Sequence, residues 1–66
     1  MSFAEKPLVV GKTYVYDDWV FVVVRSRDEF SFDVLCLTDF GWRYKSGEVT
    51  ELRSNSAVGT YCQELT

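Results

Sequence analysis

The sequence contains no histidine, and its two cysteines and four glycines are scattered. Histidine is the commonest general base near neutral pH and the commonest metal ligand in proteins. A structural zinc site needs four ligands with close pairs, which Cys36 and Cys62 do not form. Isolated glycines make no phosphate-binding loop. We therefore expect a protein that is not an enzyme and that uses neither a metal nor a cofactor.

No stretch of the chain approaches the roughly 20 apolar residues of a membrane helix. The first residues, MSFAEKPLVV, have neither the apolar segment nor the cleavage site of a signal peptide. We expect a cytoplasmic protein with no membrane partner. Because thiols stay reduced in the cytoplasm, and because Cys36 and Cys62 both have apolar or aromatic neighbours, we expect two buried thiols rather than a disulfide.

The net charge is −3, and the seven basic residues are dispersed, with only Arg25 and Arg27 close together. Nucleic-acid-binding proteins usually present a basic stripe or patch. The charge therefore argues against direct binding of DNA or RNA. A nucleic-acid-binding small barrel stays an alternative, because exposed aromatic residues on such folds can stack against bases.

A chain of 66 residues makes one domain. A chain this short buries only about 60% of the surface that its unfolded form exposes, so it needs unusually good packing or a partner subunit. Its two Trp, four Tyr and five Phe residues suit either purpose. Large aromatic side chains fill small cores efficiently, and they also form binding surfaces.

Strand signals are dense along most of the sequence, because β-branched and aromatic residues cluster between turn residues. The predicted strands are KTYVY (12–16), WVFVVVRS (19–26), FSFDVLCL (30–37), a hairpin of GWRYKSG and EVTELR around Ser46 and Gly47, and GTYCQEL (59–65). AVG (57–59) is consistent with one turn of 3₁₀ helix, and no longer segment has helical periodicity.

Short strands at regular spacing predict an all-β fold, either a small five-stranded SH3-like barrel or a strongly bent antiparallel sheet. Residues 1–8, in which Pro7 favours an extended conformation, are predicted to form an N-terminal arm. Residues 9–66 are predicted to form the single domain.

Residues 19–24 are apolar at every position. Successive side chains of a strand point to opposite faces, so both faces of this strand are apolar, although a chain of this size has room for one core. Two interpretations remain open. The arm covers the outer face with Phe3, Leu8 and Val9, or a second copy covers it, with an oligomer interface formed by Val20, Val22 and Val24.

The order of these elements resembles that of the small SH3-like barrels common in bacteriophage and bacterial genomes. The resemblance covers residues 9–65 and lies in the strand after GKTYVY, the strands WVFVVV and FDVLCL, the hairpin around YKSGEV and the turn at SNSAVG. It implies a phage-encoded protein that acts on a host protein in the host cytoplasm. Trp19 and Trp42 are far apart, unlike the Trp-Trp pair of eukaryotic SH3 domains, so binding of PxxP ligands is not implied.

The segment DFGWRYKSGE (39–48) is the strongest candidate for a partner-binding site. Trp, Tyr and Arg are the residue types enriched in interface hot spots. On an extended strand Phe40, Trp42 and Tyr44 would share one face, with Arg43 on the other. This aromatic face either lines the core or forms an exposed patch with Arg43 at its rim. Tyr14 and Tyr16 on the first strand either extend that patch or fill the core.

The acidic residues are interpreted mainly as turn residues and solvated faces. Asp33 is different, because it interrupts an apolar strand. It either faces outward and discourages edge pairing or pairs with Arg25 or Arg27 across the turn at 27–29. The function predicted from these features is a non-enzymatic protein-interaction module. A homo-oligomeric structural or assembly protein is the main alternative.

Overall fold

The computed structural model describes residues 8–65, which form five β-strands and one short helix. The elements in chain order are β1 (Thr13–Tyr16), β2 (Trp19–Ser26), β3 (Ser31–Cys36), β4 (Val49–Arg53), α1 (Ala57–Tyr61) and β5 (Gln63–Glu64). In these residues no helix is long and apolar enough to cross a membrane.

The five strands form one antiparallel sheet in the order β4-β3-β2-β1-β5. The predicted all-β class is therefore confirmed. β4 and β5 are the two edges, and the sheet is not closed into a complete barrel. β2 is the central strand, which explains why it is the longest and most apolar segment of the chain.

The β1–β2 connection is a two-residue turn at Asp17 and Asp18, between the paired residues Tyr16 and Trp19. Asp17 has a φ of 56°, in the left-handed region. Two-residue hairpin turns need such a conformation, and aspartate tolerates it better than most residues. The turn predicted at this position is confirmed.

The inner face of the sheet carries the hydrophobic core. Trp19, Phe21 and Val23 alternate along β2 and are buried, whereas Val20 and Val22 point outward and are half-buried. The strand register shifts between Val23 and Arg25, so Val24 lies in a β-bulge and is exposed. The core residues are Leu8, Tyr14, Trp19, Phe21, Val23, Phe32, Val34, Cys36, Leu52 and Cys62. As predicted, both cysteines are buried and form no disulfide.

Residues 41–47 do not form the predicted strand. Gly41 and Gly47 both have positive φ, and the chain turns back on itself, leaving only an isolated bridge between Phe40 and Tyr44. β4 therefore pairs with β3 across a long connection, and not with residues 41–47 in a tight hairpin. The positive φ values are the physical reason, because an extended strand requires negative φ.

The predicted last strand, 59–65, is mostly replaced by α1, and the strand that pairs with β1 is Gln63–Glu64. The helix begins because Ser56 caps it, with the Ser56 Oγ accepting a hydrogen bond from the Gly59 N–H. Serine is among the preferred N-cap residues. The helical turn predicted at 57–59 is thus present but extends two residues further.

The predicted arm falls mostly on residues 1–7, including Phe3 and Pro7, which lie outside the described residues. Leu8 is described and is buried in the core, not laid over the outer face. Val9 is exposed, and its N–H donates to the Tyr14 hydroxyl. The interpretation that the arm covers the outer face of β2 is therefore wrong for Leu8, because its side chain lies in the core.

Candidate interaction site

The aromatic turn, residues 40–44, lies within the connection between β3 and β4. Two backbone hydrogen bonds close it, from the Phe40 N–H to the Tyr44 carbonyl at 2.8 Å and from the Tyr44 N–H to the Phe40 carbonyl at 3.3 Å. Gly41, with a φ of 62°, allows the reversal. Left-handed backbone carries little steric cost for glycine, so the turn forms without strain.

The base of the aromatic turn is fixed to the core by stacked rings. The Trp19 ring lies 5.1 Å from the Phe40 ring and 5.5 Å from the Tyr44 ring, with interplanar angles of 15° and 19°. Tyr16 meets Phe40 edge-to-face at 6.2 Å. Aromatic pairs in such geometries contribute about 0.5–1.5 kcal/mol beyond their buried area. These contacts connect the turn to β1 and β2.

Polar contacts hold the chain that follows the turn. The Asp39 carboxylate accepts a hydrogen bond from the Ser46 N–H at 2.8 Å. The Gly47 N–H donates to the Cys36 carbonyl at 2.7 Å, which continues the edge of β3. The aromatic turn is therefore anchored by rings at its base and by hydrogen bonds behind it.

The apex of the aromatic turn is solvated. Trp42 is 82% exposed, and the Arg43 guanidinium lies 5.8 Å from the centre of its ring. A cation at this distance from an indole face is attracted by the ring quadrupole, with about 0.5–1 kcal/mol at an exposed site. Trp42 and Arg43 thus form one exposed unit, presented on a turn whose base is fixed.

The structure separates the six residues predicted to bind a partner. Only Trp42 and Arg43 are exposed at the apex, whereas Tyr16, Phe40 and Tyr44 are half-buried and pack against the core. Tyr14 is 1% exposed and stacks on Phe21, so it fills the core and is not part of a surface patch.

The prediction that Phe40, Trp42 and Tyr44 share one face is wrong, because that periodicity holds only for an extended strand. In the closed turn, the rings of Phe40 and Tyr44 point into the molecule and that of Trp42 points away.

Trp19 is the residue that sequence reasoning did not connect with this site. It supports both Phe40 and Tyr44, although it is far from them in sequence. No local pattern encodes such a contact. Its position at the start of the central strand, with aromatic neighbours on the inner face, was the only available signal.

The acidic residues have structural partners instead of a shared site. Asp33 accepts a hydrogen bond from Arg27 Nε at 2.7 Å, as one of the two predicted pairings, and this contact raises the pKa of the Arg27 guanidinium. Within residues 8–65 the surface has no pocket, and no three His, Cys, Asp or Glu side chains cluster to hold a metal ion.

Burial raises the pKa of the Cys36 thiol, so it stays protonated at neutral pH. The thiolate, not the thiol, is the nucleophile. Cys36 therefore behaves as a small apolar core residue.

No protein-family model matches this chain, and no curated protein and no solved structure matches it.

Proposed function

We propose that the chain is a non-enzymatic interaction module that binds a protein partner through Trp42 and Arg43. The observation that carries the proposal is an indole that is 82% exposed on a turn anchored in the core. Binding costs conformational entropy for each side chain and loop that must be ordered. Because hydrogen bonds and ring stacking already hold the aromatic turn in one conformation, it loses little further conformational entropy on binding.

The chemistry of the apex indicates the kind of partner surface. An indole gains most from an apolar pocket that removes it from water, and hot spots cluster in such pockets. Arg43 and Lys45 are both exposed, and neither forms an ion pair within the described residues. The complementary surface is therefore an apolar pocket with a carboxylate at its rim, placed to receive Arg43.

The resemblance to small SH3-like barrels implies a more specific function, that of a phage-encoded module that acts on a host protein. The chain has three strands, a long connection, a fourth strand, a short helix and a last strand. The open sheet carries these elements around one core.

The proposal is tested by affinity capture from a bacterial lysate with tagged wild-type protein, Trp42→Ala and Arg43→Ala. Trp42 is largely solvated, so its truncation should change the free energy of unfolding by less than about 0.5 kcal/mol. A bound protein should be recovered with the wild type and lost with Trp42→Ala, at about 30-fold weaker affinity, which corresponds to the ~2 kcal/mol of a hot spot. Arg43→Ala should weaken it less.

Tyr61→Ala is the matched control, because Tyr61 is an exposed aromatic residue on a different element, α1. It should retain the same protein as the wild type. Equal recovery with Trp42→Ala and wild type would refute the proposal. Capture that disappears after nuclease treatment, or weakens steeply with salt, would instead support the nucleic-acid alternative.

A further inference from the structure

Thr38 lies where the chain leaves β3 on its way to the aromatic turn. The regular ladder between β2 and β3 ends at the pair of Phe21 and Cys36, and the Leu37 N–H then donates to the Val20 carbonyl at 2.8 Å. In a hydrogen-bonded antiparallel pair, the Val20 N–H would donate to the Leu37 carbonyl in return. It donates instead to Thr38 Oγ1, at 2.9 Å. The Thr38 side chain thus takes the place of a strand carbonyl at the end of β3.

The Thr38 hydroxyl also donates a hydrogen bond, to the Asp18 carbonyl at 3.1 Å. A hydroxyl can accept and donate at the same time, and threonine side chains often bond to backbone groups in this way. Asp18 and Val20 are the two neighbours of Trp19 in the sequence. One side chain therefore holds the backbone on both sides of Trp19.

Trp19 is the residue on which the aromatic turn rests. Its ring stacks on the rings of Phe40 and Tyr44, whose backbone groups close the turn. Phe40 follows Thr38 by two residues, so the position of its ring depends on where the backbone leaves β3. Thr38 therefore acts on both sides of the stack, because it fixes the exit of the chain from β3 and the backbone that carries the Trp19 ring.

We infer that Thr38 is a positioning residue of the proposed binding site, and that its hydroxyl holds the aromatic turn in the conformation that presents Trp42 and Arg43. The inference rests on the proposed function, since it assigns to Thr38 a role in binding that acts through Trp19. A turn that is already held in its binding conformation loses less conformational entropy when a partner binds. Without the Thr38 hydroxyl, the Val20 N–H loses its acceptor and the ring stack loses one support.

The first test is native-state hydrogen exchange of the full chain, measured by NMR without a partner. Thr38→Val keeps the shape of the side chain and removes its hydroxyl. The Phe40 and Tyr44 N–H groups, which close the aromatic turn, should exchange about three- to tenfold faster, as expected when a hydrogen bond is lost. If the Val23 and Ser54 N–H groups of the sheet exchange faster while Phe40 and Tyr44 keep their wild-type rates, Thr38 stabilises the sheet without holding the turn. That result would overturn the inference.

Two variants control for the loss of the hydroxyl. Thr38→Ser keeps the hydroxyl, so Phe40 and Tyr44 should exchange as in the wild type. Thr60→Val makes the same replacement at an exposed threonine on α1, and it should also leave both rates unchanged. Exchange in Thr38→Ser that is as fast as in Thr38→Val would show that the hydroxyl is not the cause, and would contradict the inference.

The second test is the affinity for the protein that is captured through Trp42. Thr38→Val should bind it about three- to tenfold more weakly, and Thr38→Ser should bind it like the wild type. If Thr38→Val binds as tightly as the wild type while Trp42→Ala does not bind, the role of Thr38 is refuted and the proposed function stands. If capture does not depend on Trp42, the proposed function is wrong, and the binding role of Thr38 is wrong with it.

Discussion

Gly59 lies where α1 packs against the end of β4. It does not have a positive φ, so its backbone conformation does not require glycine. The requirement is space. A Cβ atom there would collide with the Arg53 carbonyl oxygen and would lie 2.6 Å from the Cα and carbonyl oxygen of Ser54. These are backbone atoms that cannot rotate away, so the helix can pack on β4 only with glycine at this position.

We predict that Gly59→Ala lowers the free energy of unfolding by about 1–3 kcal/mol, because overpacking forces α1 away from β4. Urea denaturation followed by circular dichroism measures the change. Thr60→Ala is the matched control, since Thr60 is exposed in the same helix, and it should change stability by less than about 0.5 kcal/mol. Equal stability of the two variants would contradict the close packing at Gly59.

The β2–β3 connection depends on one carboxylate. Asp28 Oδ1 accepts hydrogen bonds from the N–H groups of Phe30 and Ser31, both at 2.9 Å. The Arg27 and Asp28 N–H groups in turn donate to the Ser31 carbonyl. The backbone hydrogen bond from Phe30 is the largest cause of the lowered pKa of Asp28, and Ser31 adds to it. The charged form of Asp28 is therefore favoured by the folded turn.

The lowered pKa of Asp28 sets the sign of the pH dependence of stability. A folded-state pKa below the unfolded one gives stability that is present above about pH 4 and is lost as the pH falls through the folded value. Asp28→Asn should be less stable than the wild type at pH 7, and the difference should shrink below about pH 4. Unfolding measured by urea at several pH values checks this. Glu29→Gln controls for the loss of one charge in the same turn. If the stability difference between Asp28→Asn and the wild type stayed constant at all pH values, the role of the charged Asp28 carboxylate would be contradicted.

The elements show which parts of the fold can be predicted from sequence. β1, β2 and β3 lie where β-branched and aromatic residues alternate, because local preference and burial agree there. Residues 41–47 also contain aromatic residues, but their two glycines have positive φ and form a turn instead of a strand. At 59–65 the Ser56 cap and the close packing of Gly59 outweigh strand preference. Both are tertiary or backbone effects that composition does not report.

At the scale of the whole molecule, Trp19 connects the sheet to the aromatic turn. Its ring contacts those of Phe21, Phe40 and Tyr44. The aromatic turn thereby covers part of the inner sheet face. Because the sheet is open, no second sheet packs against this face. The sequence could nominate residues 40–44 as a site, but the burial of Trp19 and the exposure of Trp42 depend on this long-range packing.

We predict that Trp19→Ala largely unfolds the protein. Truncation of a buried tryptophan costs about 3–5 kcal/mol. A domain of this length has a total stability of about 3–10 kcal/mol, from about 0.05–0.15 kcal/mol for each of its 66 residues. Thermal unfolding followed by near-ultraviolet circular dichroism measures the effect. Trp42→Ala, which removes the same ring from the solvated apex, should melt like the wild type. A cooperative transition at the wild-type temperature in Trp19→Ala would show that the stack does not support the core.

The placement of the two tryptophans also gives the molecule two optical probes that report different events. Trp19 is shielded within the stack of rings, so its emission follows the integrity of the core and is protected from quenching by iodide. Trp42 is open to solvent, so iodide reaches it, and its emission responds to whatever covers the apex. In Trp42→Phe the tryptophan fluorescence comes from Trp19 and reports folding alone. The difference in fluorescence between the wild type and Trp42→Phe comes from Trp42 and reports binding at the aromatic turn.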